Sequence, residues 1–390
     1  MSSTVHTMSS ARLATSQFAT SFATRPAVVA SAPGRVNLLG EHTDYNGGPV
    51  LPVALERRAA VAAGPWDGWR LVSSIDGAVH EVDVDGPLRR DWTDYLVGVV
   101  RELRTRGAAL PGAQVAVAST VPPGAGLASS AALTVAAARA LGLLAGRPLT
   151  PGDLVEVAFH AEHDHVGVRC GRMDQTIAAQ AERGTALLIE TATGVVRRLL
   201  LAGRLWIVET GVSRELRNGA LNQRRRECDE ALELCRAWRP GIRHLAQLAP
   251  GDLAEASRRL PPPLVPLVRH VVTETARTRA AAAALIAGDL ATVGRLLVEG
   301  HASLRDDYRS SLPEADFVIE RAVWHGAHGA RLTGAGWGGA VVVLAPEARE
   351  RRIMAEVSRD FGDRFGRVPE AWSTRAAAGA RREALPAVAG

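Results

Sequence analysis

An α+β fold in two domains is what this sequence predicts, on three observations. The chain has 390 residues, 47% of them hydrophobic, which is more comfortably two cores than one. Up to about residue 200, short β-rich runs broken by Gly, Pro and Asp turns give way to helices. Beyond it, apolar residues recur mostly at helical spacing. The expected organisation is an N-terminal extension or docking helix over 1–25, an N-terminal domain over 26–203 and a C-terminal domain over 204–390.

Residues 1–25 are rich in Ser, Thr and Ala and lack acids, as transit peptides do, but Phe18 and Phe22 at helical spacing favour a docking helix. Val28–Ala32, Val50–Leu55, Ala59–Ala63, Trp69–Val72 and Val79–Val84 read as strands of a mixed or antiparallel sheet. Trp92–Arg104 reads as a helix with Tyr95, Val99 and Leu103 on one face, and Gln114–Ser119 as a further strand. Helices follow over Ser129–Leu144, Asp153–His163 and Asp174–Glu182. After a strand at Leu205–Glu209, helices are expected over Arg214–Trp238, Leu264–Ile286, Leu290–Arg305 and Glu314–Trp324. Pro261-Pro262-Pro263 makes a rigid corner before the second of these. A hairpin, Ala330–Thr333 with Gly339–Leu344, encloses the turn Gly334-Ala335-Gly336-Trp337-Gly338, and a helix over Pro346–Asp360 starts on its proline.

Composition excludes several classes. No segment approaches the roughly 18 uninterrupted apolar residues of a membrane helix. Cys170, Cys228 and Cys235 are an odd number without metal-type pairing, which fits a reducing cytoplasm. The net charge of +5 does not point to nucleic acid, because arginines are scattered among acids. Arg224-Arg225-Arg226, the one notable run, lacks an aromatic platform and reads as a solvated helix face or a contact to an anion. The chain has no lysine, so all 46 basic residues are arginine. A Walker A loop and a protein-kinase strand lysine are thereby excluded, and a phosphate site must use backbone amides, arginine or metal.

Three segments can carry chemistry. Val121-Pro122-Pro123-Gly124-Ala125-Gly126-Leu127-Ala128-Ser129-Ser130 joins a strand to an Ala-rich helix. It suits an anion cradle, with Ser129 and Ser130 as cap hydroxyls, and equally an ordinary capped turn. Cys170-Gly171-Arg172-Met173-Asp174-Gln175 places a carboxylate at a helix start, either as a cap or as a kinase carboxylate, and Glu162 lies near the preceding helix end. Gly34–Gly48 gathers Arg35, Glu41, His42 and Asp44 among glycines, a set suited to gripping hydroxyls or to a polar turn.

Taken in this order, these segments resemble the galactokinase family, part of the superfamily shared with homoserine, mevalonate and phosphomevalonate kinases. The most specific match is Gly34-Arg35-Val36-Asn37-Leu38-Leu39-Gly40-Glu41-His42-Thr43-Asp44-Tyr45 with Asn46-Gly47-Gly48. The match continues through Trp92–Val99, Pro122–Ala132, Gly171–Gln175, Arg224–Cys228, His270–Glu274, His301–Tyr308 and Arg331–Gly339. The resemblance implies an N-terminal domain like ribosomal-protein S5 domain 2 and a C-terminal ferredoxin-like domain, with the active site between them. It implies transfer of the γ-phosphoryl group of MgATP to a sugar's anomeric hydroxyl. Asp174 and Arg35 match the catalytic positions, Ser130 and Glu162 the magnesium pair, and Glu41, His42, Asp44 and Gly171 sugar-binding positions. Gly124, Ala125, Gly126, Leu127, Ala128, Ser129 and Ser130 match the ATP loop. A small sugar and ATP are thus the implied partners, with no nucleic acid and no membrane.

The departures concern the acceptor. Ala220-Leu221 stands where the family carries Glu-Tyr, Gly211 where it has asparagine, and Trp337 where it has phenylalanine. Arg172 precedes Met173 where a small, apolar or amide residue is usual; it can point to solvent or offer a charge-assisted contact to an anionic sugar such as a uronic acid. Galactose is therefore the first acceptor to consider. Galacturonate, arabinose, N-acetylgalactosamine or another hexose, and a non-catalytic galactose and ATP sensor, are the alternatives.

Overall fold

The computed structural model describes residues 8–168, 170–212 and 218–385. Its first half runs α1 (Ser10–Phe22), β1 (Val28–Asn37), β2 (Pro49–Val50), β3 (Pro52–Pro65), β4 (Trp69–Ser73), β5 (Val79–Glu81) and α2 (Thr93–Thr105). It continues through β6 (Ala113–Ser119), α3 (Ser129–Leu144), α4 (Pro151–His160), α5 (Met173–Gln180), β7 (Thr185–Glu190) and β8 (Val195–Leu200). The second half comprises β9 (Leu205–Glu209), α6 (Asn218–Arg236), α7 (Leu253–Arg259), α8 (Val265–Ile286), α9 (Leu290–Asp306) and α10 (Pro313–Trp324). It closes with β10 (Gly329–Thr333), β11 (Ala340–Leu344), α11 (Glu350–Phe365), β12 (Ala371–Thr374) and β13 (Arg381–Arg382).

The first sheet is mixed: β13-β1-β3-β6-β4-β5 in order, with β4 and β6 parallel, and β2, β7 and β8 branching from β3. Alternation along β3 decides its two faces. Val61 and Ala63 meet the helix layer through Leu96, Val99, Val135 and Leu141, whereas Ala60 and Ala62 pack under Ala14 and Phe18 of α1. The second sheet is antiparallel, β10-β11-β9-β12. Val341 and Val343 face a core with Val318 and Phe361, while Ala340 and Val342 share a core with Leu38, Leu39 and Val53 of the first half. The halves thus meet through apolar packing beside β1.

Several boundaries differ from the sequence reading. Val50–Leu55 and Ala59–Ala63 belong mostly to one strand, β3, because its interrupting Arg58 is buried and donates to Ser31 Oγ and O and to the carbonyls of Ala378 and Gly379. The β7–β8 hairpin carries Arg197 and Arg198 on its outer strand, which hides the apolar alternation from the sequence. The helix expected from Pro346 starts at Glu350. Of the helix expected over 214–238, residues 214–217 lie outside the described residues, and α6 begins at Asn218. The C-terminal segment returns to pair β13 with β1, so Arg381 and Arg382 join the first sheet although they fall within 204–390.

Phe18 is fully buried against Val29, Ala60 and Val72. Phe18→Ala is expected to lower the unfolding free energy by about 3–5 kcal/mol in denaturant titration, as loss of a buried aromatic ring does.

Candidate active site

β1 carries the first site residue, and a break in its ladder aims it. Pairing with β3 passes from Pro33–Arg58 directly to Arg35–Ala54, an irregularity of the kind that re-aims side chains beside active sites. Arg35 is thereby buried. Its Nε and Nη2 donate to Asp174 Oδ1 and Oδ2 at 2.7 and 2.8 Å, a bidentate pair, and Nη1 donates to the carbonyl of Gly126. Asp174 sits in the first turn of α5, whose N-cap is Arg172 without a side-chain cap bond, so the carboxylate is held for Arg35 and does not serve as a cap. Its side chain remains 26% exposed, leaving one side open to a ligand.

The segment preceding α3 wraps against β1: Arg35 N donates to Leu127 O at 2.9 Å. Gly34 permits this approach, since a Cβ there would stand 2.7 Å from Leu127 O and 2.8 Å from Val121 Cγ1. Gly124 and Gly126 adopt positive φ, of 71° and 78°. Ser129 and Ser130 are not the cap residues expected from the sequence. Ala128 is the N-cap, left-handed at φ 58°, without a side-chain bond, and the first turn holds no acid. The α3 N-terminus therefore presents backbone amides and a positive dipole end, the arrangement that receives phosphate.

Glu162 lies in a π-helical turn, Ala161–Val166, that prolongs α4. It is buried, and Oε1 accepts from Thr134 Oγ1 at 3.0 Å and Gln175 Nε2 at 2.8 Å. Burial pushes its carboxyl up to about 7, against hydrogen bonds from Gln175, Ser130 and Thr134. The sequence pair Ser130 and Glu162 is thus in contact, and Asp174 is close enough to raise the Glu162 pKa further.

Asp44 and Gly171 are also brought together. A Cβ on Gly171 would lie 2.6 Å from Asp44 Oδ2, so glycine makes room for the carboxylate. Burial raises the Asp44 carboxyl to about 6, with Asp174 adding to the rise and Arg225 and Arg35 opposing it. His42 occupies a left-handed conformation, φ 63°, and its ring stacks on Tyr308 at 4.1 Å with Nδ1 2.8 Å from Tyr45 Oη. Tyr45 and Tyr308 share a 2.7 Å hydroxyl contact, and Trp337 approaches His42 edge-on at 5.9 Å.

Glu41 turns into a buried charge cluster. Arg331, fully buried on β10, reaches Glu41 Oε2 at 2.7 Å as an ion pair without hydrogen-bond alignment and donates to Glu274 Oε1 at 2.7 Å. Glu41 Oε1 accepts from Gly334 N at 3.2 Å, and Glu274 also accepts from Gly40 N at 2.8 Å and Arg277 Nε at 2.9 Å. Burial lifts the Glu41 carboxyl to about 7 against the pull of Arg331. Burial acts on Glu274 in the same sense, but Arg331 and Arg277 outweigh it and hold that carboxyl well below the usual range.

The sequence assigned no role to Arg331, Glu274, Tyr45 or Tyr308. The available signal was a lone charge inside an apolar strand for Arg331, and the one acid of α8 for Glu274. Of the arginine run, Arg224 pairs with Glu227 and donates to Tyr308 O, Arg225 lies 4.8 Å over the Tyr45 ring, and Arg226 donates to Gln223. Arg172 donates twice to Glu156, at 3.0 and 3.1 Å, and lies 3.9 Å over the Phe159 ring on the exposed side of α4. Gly211 lies against Arg367. A cavity of about 590 Å³ lined by Glu56, Arg58, Arg183, Arg375 and Arg381 opens at another place and contains none of the candidate residues.

An open helix N-terminus over glycine turns, a buried arginine clasping a partly open carboxylate, and a second acid beside the same helix suit phosphoryl transfer, and two domain matches make the class a GHMP-type small-molecule kinase. The GHMP kinase N-terminal and C-terminal domains match residues 94–182 and 281–363, and the galactokinase galactose-binding signature matches 16–65. Curated galactokinases are similar along nearly the whole chain. That of a Roseiflexus species is 42% identical over 94% of this chain and 95% of its own length, and that of Streptomyces coelicolor is 40% identical over 93% and 95%. The crystal structure of Lactococcus lactis galactokinase complexed with galactose superposes with a TM-score of 0.89 at 28% identity, covering 94% of this chain and 98% of the other. A mevalonate kinase structure, at 16% identity and a TM-score of 0.64, shares the fold. The chain belongs to the galactokinase family.

Gly34→Ala forces β1 and the 121–127 segment apart. It should cost about 1–3 kcal/mol in thermal or denaturant unfolding, and the KM for ATP should rise.

Proposed function

We propose that the chain is an ATP-dependent galactose 1-kinase, which transfers the γ-phosphoryl group of ATP to the anomeric hydroxyl of D-galactose to give galactose 1-phosphate and ADP. The observation that carries this reading is the bidentate Arg35–Asp174 pair beside the uncapped N-terminus of α3. In the transfer, the anomeric oxygen forms a bond to the γ-phosphorus, the bond from that phosphorus to the β,γ-bridging oxygen breaks, and the hydroxyl proton passes to Asp174. Arg35 fixes both carboxylate oxygens and places positive charge where the transferring group passes. A loose phosphoryl-transfer transition state asks for such positioning and neutralisation more than for a strong base.

The backbone from Gly124 to Ser130 receives the phosphates of ATP. Magnesium belongs to the same proposal. The buried carboxylate of Glu162, bonded to neutral donors and raised to about 7 by burial, gains from a divalent cation, and the Ser130 hydroxyl beside it is a second hard oxygen donor. Held by these two oxygens, the ion would supply positive charge against the nucleotide phosphates. Glu41, His42, Asp44 and Gly171 form the sugar side: carboxylates accept hydroxyls, and glycine leaves room for Asp44.

The N-terminal half as an S5 domain 2-like unit and the C-terminal half as a ferredoxin-like unit, divided near residue 203 with 1–25 as an extension, complete the proposal. The mixed sheet under α2 to α5 and the antiparallel sheet β10-β11-β9-β12 support that division. Among the described residues no helix is long and apolar enough to cross a membrane. A cytoplasmic location goes with ATP as co-substrate.

The uronic-acid reading loses its ground, since Arg172 is committed to Glu156 and Phe159. Arg172→Ala is expected to leave the ratio of kcat/KM for galactose and galacturonate unchanged. Incubating the purified protein with ATP and a panel of sugars, and following ADP, tests the function itself: galactose should give the fastest release. A protein that binds galactose and ATP without ADP release would be a sensor. Asp174→Asn leaves Arg35 an acceptor oxygen but no counter-charge, so it should fold with reduced stability and lose about 10²–10⁴ of kcat, as removal of a general base does; near-normal turnover would take Asp174 out of the mechanism.

A further inference from the structure

Arg331 and Glu274 lie deep behind the sugar loop, and their geometry exceeds what stability asks of them. A buried ion cluster of this kind is usually no more stabilising than apolar packing of the same volume, so its retention calls for another reason. The cluster touches the loop at two points. Glu274 Oε1 receives both Gly40 N and Arg331 Nη1, and Arg331 in turn meets the carboxylate of Glu41. One acid on α8 therefore fixes the backbone entering Glu41 and the cation facing it. Room for this is made on α9, where a Cβ at Gly300 would stand 2.7 Å from Arg331 Nη1 and 3.1 Å from Glu274 Oε2.

We infer that Arg331, seated by Glu274, is a positioning residue for sugar binding: it holds the orientation of Glu41, and through Glu41 the affinity for the acceptor. This rests on the reading of Glu41 as a sugar-binding group. The charged or titratable groups facing Glu41 are Arg331 from β10, Glu274, Arg277 and His270 from α8, and Arg35 from β1. His270 Nε2 meets Glu41 O, and burial lowers that imidazole to about 4, so it stays neutral where Glu41 titrates. Burial raises Glu41 to about 7, Arg331 lowers it and Glu274 raises it. Ionised Glu41 is a stronger acceptor for a sugar hydroxyl than the neutral acid, so affinity falls as pH drops through the Glu41 pKa.

The two partners act on Glu41 in opposite senses, and this separates positioning from structural damage. The dissociation constant for galactose is measured on the intact protein, without ATP, from about pH 5 to pH 9. Arg331→Met removes the opposing cation: the acid limb should move to higher pH by about one unit or more, and binding at neutral pH should weaken about fivefold or more. Glu274→Gln removes the like charge and should move the limb to lower pH. Glu41→Gln should abolish that limb and leave the one from Asp44, whose carboxyl burial raises to about 6. In the assay with ATP, kcat at saturating galactose and the KM for ATP should stay within about threefold of the parent for Arg331→Met and Glu274→Gln, because neither residue touches a substrate. A weakening uniform across pH, or limbs shifted in the same direction by both variants, overturns the inference. If Arg331→Met does not fold, Glu274→Gln, which changes one charge at constant shape, carries the test alone, and an unshifted limb sinks the proposal. A parent protein that neither binds galactose nor releases ADP overturns the functional reading itself. An active parent with coincident limbs overturns only the role of Arg331.

Discussion

The bidentate contact between Arg35 and Asp174 is the interaction on which the site depends. A guanidinium buried in a strand must be met by a carboxylate and by carbonyls, or its desolvation is uncompensated. Here the carboxylate comes from α5 and a carbonyl from the loop before α3. One side chain thus ties β1, α5 and the loop before α3 into fixed register. The break in the β1 ladder and the glycine at position 34 follow from the same requirement, since both bring the loop onto the strand.

A comparable logic governs the other half of the molecule. Arg331 is fully buried and is met by Glu41 from the first half and Glu274 from α8, so the halves are joined by charge as well as by the apolar core around Leu38 and Leu39. Between the two arginine centres lies the Glu41-His42-Thr43-Asp44-Tyr45 loop, steadied by the ring stack of His42 on Tyr308 and the hydroxyl contact of Tyr45 with Tyr308. Strain at His42, whose φ of 63° a side chain seldom adopts, is sustained by that packing. A loop held from both sides suits a task in which orientation matters more than motion.

The helices α3, α8, α9 and α10 were legible to within a residue or so at each end, because apolar residues at a period of 3.6 leave a plain trace. Strand β8 was not, because a sheet edge tolerates Arg197 and Arg198. The loop glycines and the roles implied for Arg35 and Asp174 were readable from a local pattern. Arg331 and Glu274 were not given roles, because a charge inside a strand or helix is silent until its partner, far away in sequence, is placed against it. Arg172 shows the reverse. Lying within the candidate catalytic segment, it drew attention to the acceptor, yet its side chain turns to Glu156 and Phe159.

By itself the sequence determined the α+β class, the lysine-free chemistry that confines phosphate recognition to amides, arginine and metal, and the local motifs of a galactokinase-type kinase. Those are properties of short stretches and of composition, and they need no long-range contact. Only the tertiary structure decided which polar groups face one another: Arg35 with Asp174, Ser130 with Glu162, Arg331 between Glu41 and Glu274, and Arg172 with Glu156. The physical reason is that ionisation and orientation of a buried group are set by its burial and its neighbours through space, and the order of residues along the chain does not specify those neighbours.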